Sequence, residues 1–87
     1  MECYKITSIT DRKGNPKSDD KHLRRIGRTC TKPKVRIGEN MTIKWVENAD
    51  GSPIFGESVT DMAIEVIQIG GNIEVMTRKS IYTFEKI

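Results

Sequence analysis

The second half of the chain alternates apolar and polar residues with a period of two, the pattern of a half-buried β-strand and one that a helix does not satisfy. In NMTIKWVEN (40–48), Met41, Ile43 and Trp45 share one face while Thr42 and Lys44 share the other. MAIEVIQI (62–69) begins the same way with Met62, Ile64 and Val66, and then the phase slips by one residue to Ile67 and Ile69. Such a slip is the mark of a β-bulge, which in a barrel bends a strand around a corner. NIEVMT (72–77) places Ile73 and Val75 together, and SIYTFEKI (80–87) does so with Tyr82 and Phe84. Gly70-Gly71-Asn72 supplies the positive φ of a tight turn, so 61–78 is predicted to be a hairpin. The next connection, Arg78-Lys79, has no residue suited to positive φ. It requires either Lys79 in the left-handed region or a loop of about three to four residues.

Toward the N-terminus, CYKITSIT (3–10) is β-branched and aromatic enough for a strand. It runs into DRKGNPKSDDK (11–21), a solvated loop, and DGSPIFGES (50–58) makes a second irregular segment. Eighty-seven residues, 36% apolar and 31% charged, suit one soluble globular domain over 1–87 with a thin core. Glu2 and Lys5 interrupt the start where a secretory signal would be apolar, and no window approaches the roughly 18 apolar residues of a spanning helix, so the expected location is cytoplasmic. Cys3 and Cys30 are too few for a disulfide framework and are expected as free thiols. The fold class is therefore all-β: a small barrel or strongly bent antiparallel sheet of about five to seven strands, with one short helical turn near 18–23.

One stretch is chemically distinctive. KHLRRIGRTCTKPKVR (21–36) holds seven Lys or Arg and no acid. Eleven basic residues against four acids give residues 1–38 a net +7, while four against eight give 39–87 a net −4. Two local conformations compete for the stretch. A basic amphipathic helix would set Lys21, Arg24 or Arg25, Arg28 and Lys32 opposite Leu23, Ile26 and Cys30, with Ser18 as cap and Asp19 and Asp20 in the first turn. Gly27, Thr29, Thr31 and Pro33 weigh against it, favouring at most one helical turn near 18–23 followed by an extended strand through about 30. On that strand Arg24 and Arg28 would share a face with Ile26 and Cys30, so no continuous basic row results.

Three motifs, RIGR (25–28), ESVTDM (57–62) and TRKSIYTFEK (77–86), together resemble a group of small uncharacterised bacterial and phage-associated proteins. That group has an Arg-hydrophobic-Gly-Arg strand, a Thr/Ser-Ser-x-Val segment opening the penultimate hairpin, and a closing T-x-N-S-x-Y-x-F/L strand. The resemblance spans most of 4–86 and implies a compact β-barrel, similar in size to SH3-like or OB-like barrels, with no activity to carry over. Glu57-Ser58 stands where Thr-Ser is usual and Lys79 where Asn would make the turn. The matching residues have a structural reading: Gly27 for close backbone passage, Ser58 and Ser80 for turns, and Val59, Tyr82 and Phe84 for a small core.

Catalytic chemistry has little to build on. His22 is the sole histidine, beside a solvated loop, and C-x-x-C, the P-loop and G-x-G-x-x-G are all missing. Carboxylates at 47, 50, 57, 61, 65, 74 and 85 fall mostly on outward strand positions. The expectation is no enzyme, no metal, no cofactor and no membrane partner. Two function classes remain. A protein-interaction or self-association module would expose an apolar patch near 50–58 or along a strand edge. The alternative is weak, sequence-independent nucleic-acid binding, with Arg24, Arg25, Arg28, Lys32, Lys34 and Arg36 on phosphates. A solvated basic face explains the same residues without a ligand.

Overall fold

The computed structural model describes residues 2–87. Six strands, β1 (Cys3–Thr10), β2 (Thr29–Thr31), β3 (Asn40–Glu47), β4 (Glu57–Ile69), β5 (Asn72–Thr77) and β6 (Ile81–Lys86), form a closed barrel in chain order. Every strand runs antiparallel to its neighbours, and β1 closes the ring by pairing β6 as well as β2. One helical turn, α1 (Asp20–Leu23), lies between β1 and β2.

Alternation places the core as the sequence predicts for three strands. Met41, Ile43 and Trp45 of β3, Ile73 and Val75 of β5, and Tyr82 and Phe84 of β6 all point inward and are buried. A six-stranded barrel has an interior just wide enough for side chains, so these rings and branched residues fill it. In β1 the inward set is Tyr4, Ile6 and then Ile9; the three-residue step coincides with a register shift against β6 between Ile6 and Ser8. That bulge keeps both ends of β1 facing the core while the strand turns.

The turns follow their chemistry. Gly70, with φ 59°, occupies the first central position of a two-residue turn between Ile69 and Asn72, while Gly71 has no positive φ, as in a type II′ hairpin. Arg78-Lys79-Ser80 makes a three-residue loop, in which the Ser80 carbonyl accepts from the Thr77 amide at 2.7 Å. Lys79 stays out of the left-handed region: no described residue except glycine has positive φ.

Several expectations need correction. The cap of α1 is Asp19 rather than Ser18, its carboxylate accepting from the His22 amide. The extended strand through 23–30 does not form. Arg24, Arg25 and Ile26 donate back to carbonyls of residues 20, 22 and 23, and Gly27, with φ 84°, turns the chain so that its amide donates to Ile6 at 2.7 Å. Only Thr29–Thr31 pairs as a strand. A Cβ at residue 27 would lie 3.0 Å from the Ala49 Cβ, so close passage and positive φ both call for glycine there. Finally, the slip in β4 falls between Ala63 and Glu65, earlier than the sequence suggests, and β4 begins at Glu57 inside the segment expected as loop. In β4 Thr60 and Ala63 are buried; Val59, expected in the core, is instead 57% exposed, Met62 and Ile64 are half-buried, and Val66, Ile67 and Ile69 are exposed.

Among the described residues no helix is long and apolar enough to cross a membrane. Cys3 and Cys30 are both free, and burial, with Cys3 nearby, pushes the Cys30 thiol up to about 12, which keeps it protonated and unreactive.

Candidate functional site

The basic stretch does not form one surface. Arg24 is exposed and its Nε donates to the Asp20 carbonyl. Arg28 lies 5.1 Å above the Trp45 ring, with its Nε buried and without a partner. Lys32 and Lys34 line a shallow depression with Lys44, and Arg36 faces solvent beside Glu39 at 3.8 Å. Arg25 turns inward and is only 7% exposed. Of the six arginines and lysines singled out in the sequence, Arg24 and Arg25 stand close enough to Arg28 to lower its pKa further after burial has done so, and Lys32 and Lys34 share one depression.

Around Arg25 a different constellation appears. Its Nη1 donates to the Tyr82 hydroxyl at 2.9 Å, across 57 residues of sequence. The two lie in a cleft of about 350 Å³ formed by the end of the 11–19 loop, α1, the first half of β4 and the turn between β5 and β6. Lys17, Lys21, His22, Arg78 and Lys79 contribute the other basic side chains, and Asp61 is the only carboxylate among the described lining residues. Sequence reasoning passed over Lys17, Arg78 and Lys79 because they sit outside the dense basic run; only the barrel closure joins them to Arg25. No family model, curated protein or solved structure matches the chain.

Asp61 is already committed. Its Oδ1 accepts from Arg78 Nε at 2.9 Å, from Arg78 Nη2 at 2.7 Å and from the Met62 amide at 2.7 Å, while Oδ2 is buried without a partner. Arg78 chiefly, then the Met62 amide, holds the Asp61 carboxyl below its ordinary value of 3.8. A carboxyl whose folded-state pKa is depressed stabilises the fold above the unfolded value, and that contribution disappears as pH falls through the folded value. Stability is therefore expected to fall on acidification below about pH 4, and Asp61→Asn should flatten the dependence there. Urea midpoints of both proteins between pH 2 and pH 6 check this; parallel curves would show that the Asp61-Arg78 pair contributes nothing.

A second feature lies on β4. β3 pairs with β4 only from Glu57 to Met62, and the 38–39 turn adds two bonds at Ala63. Beyond Ala63 no described residue pairs with the outer edge of β4, although β5 pairs its inner edge as far as Ile69. Ile69 and Asn72 flank the tight turn, so Ile69, Ile67 and Glu65 direct their backbone groups at β5, and alternation leaves those of Val66 and Gln68 facing solvent. Side chains there are apolar: Val66 is 40%, Ile67 39% and Ile69 72% exposed. Glu65 is the only charge from Met62 to Ile69.

Proposed function

We propose that the protein is a non-enzymatic interaction module that binds by strand addition at the outer edge of β4, and that a second copy of the chain is its first occupant. The observation that carries this reading is the unpaired edge from Ile64 to Ile69 with its exposed valine and isoleucines. Soluble proteins ordinarily blunt such edges with lysine, proline or a covering loop, because an open apolar strand is a template for pairing. Between Ile64 and Ile69 there is no lysine or proline; Glu65 and the bulge between Ala63 and Glu65 stand only at the start of the edge, before Val66. Antiparallel pairing centred on Ile67 would set Val66 opposite Gln68 and Glu65 opposite Ile69 of the other copy, so no like charges meet. Main-chain bonds would supply affinity and the apolar side chains would exclude water. A cleft holding one carboxylate, already bound to an arginine, lacks the paired acids or activated nucleophile of a hydrolytic site.

Sedimentation equilibrium across a wide concentration range tests the reading. The wild-type chain should dimerise, with little change between low and high salt. Gln68→Pro removes an amide donor that no intrachain partner uses, so it should leave the barrel folded and abolish dimerisation. Ile67→Lys should do the same through charge on the edge. A wild-type chain that stays monomeric at millimolar concentration, or a Gln68→Pro protein that dimerises unchanged, rules out self-pairing at this edge.

A further inference from the structure

The cleft around Arg25 is not used by the β4 edge, and its composition poses a separate problem. Arg25 is 7% exposed as a residue, and a charged residue so nearly buried is ordinarily matched by a carboxylate, since desolvating an unpaired charge is expensive. Arg25 has no acid within salt-bridge distance among the described residues; its one hydrogen bond goes to the neutral Tyr82 hydroxyl. The one carboxylate among the described lining residues, Asp61, is occupied by Arg78, and Asp19, whose charge reaches Tyr82, is held by His22 Nδ1 at 2.7 Å. Five permanent cations against one carboxylate leave the lining with four surplus positive charges.

We propose that this cleft binds the phosphoryl group of a small phosphate monoester or diphosphate, with Arg25 and Tyr82 as the recessed donors and Lys17, Lys21 and Lys79 as the surrounding charge. Several features favour that class over others. A single carboxylate would be matched by Arg25 alone, whereas four surplus charges suit an anion carrying two or more. Lysines act as point charges toward any phosphoryl oxygen, and the arginine fork fixes orientation. The Tyr82 oxygen accepts from Arg25, which leaves its own O–H free to donate, and burial raises the phenol pKa so that the proton is retained. About 350 Å³ exceeds what a bare phosphate needs and falls within the range of small-molecule sites. A nucleic-acid backbone presents one charge per phosphate along an outer surface, whereas Arg25 is recessed and is reached more readily by a terminal, doubly charged group.

The test is a titration of the isotopically labelled chain, followed through its backbone amide resonances at low salt. The probes are pyrophosphate, a nucleoside 5′-monophosphate, the same nucleoside without phosphate, and a short single-stranded oligonucleotide lacking terminal phosphates. Saturable shifts are expected at residues 17–25 and 77–82 with the two phosphorylated small molecules and not with the bare nucleoside. Arg25→Met should weaken pyrophosphate binding at least tenfold and Lys79→Met severalfold, while Lys34→Met, in a different depression, should leave it within twofold. Lys79 is exposed, so its variant reports on the site even if the Arg25 variant does not fold. Absence of shifts at millimolar pyrophosphate would overturn the proposal, as would equal weakening by Lys34→Met and Lys79→Met. Binding of the oligonucleotide without the monophosphate would also overturn it, in favour of the nucleic-acid reading. Because the β4 edge lies outside the cleft, a monomer that still binds pyrophosphate would reject self-association and leave this site standing.

Discussion

Phe84→Ala is expected to remove about 3–5 kcal/mol of stability, the range found when a fully buried aromatic is truncated. Phe84 has no exposed surface, lies opposite Ile6 on β1 and Ile73 on β5, and stacks on Tyr82 with ring centroids 6.2 Å apart and planes inclined by 17°. It therefore links the strand that closes the barrel to both of its neighbours. A domain of this size has roughly 4–13 kcal/mol in total. Its core is one cluster of a dozen buried side chains among the described residues. The expected drop in Tm is between about 12 and 40 °C, large enough that the variant would be substantially unfolded if the wild-type protein lies at the lower end. Glu85→Ala, one position along and on the outer face, should stay within about 0.5 kcal/mol. Thermal melts of the two variants side by side decide the matter. A Phe84→Ala protein within 1 kcal/mol of wild type would mean that β6 does not close the barrel in this register.

Which residues point inward was legible in the sequence for the strands that alternate without a bulge, although the pairing that closes the barrel was not. Met41, Ile43 and Trp45 had to point the same way, and so did Tyr82 and Phe84. The β1 bulge could also have been found: inward residues at 4, 6 and 9 step by three where a regular strand steps by two. Other features depend on contacts that local sequence does not encode. Gly27 and Arg28 reach Ile6 across the chain, and that docking ends the run as a turn instead of a strand. Arg25 donates to a hydroxyl 57 residues away, so a residue expected on an exposed basic surface is nearly buried. The apolar residues of β4 mislead for a different reason. Alternation reports that a face is covered or able to be covered; it does not say by what, and β3 stops before covering Val66 to Ile69. An apolar strand that its own chain pairs on one side only therefore shows in the sequence as core and in the structure as an edge.

Arg25 and Tyr82 allow the fold's needs to be separated from those of a ligand. Tyr82→Phe should destabilise the protein by about 1.5–3 kcal/mol, because it removes the one bond to a buried charge while leaving that charge in place. Arg25→Met should behave in the opposite way and be neutral or stabilising. An apolar side chain of similar length fills the space without desolvating a charge, and it leaves the Tyr82 hydroxyl on the side of the cleft open to water. It also relieves Arg28, whose pKa is lowered by burial first and then by the neighbouring charges of Arg24 and Arg25. Chemical denaturation of both single variants and the double variant measures the coupling directly. If Arg25 served only the barrel, both single losses would be similar and the double variant no worse than either. Loss on Tyr82→Phe with gain on Arg25→Met would mean that the barrel tolerates its buried guanidinium at a cost in stability, the pattern of a residue retained for what enters the cleft.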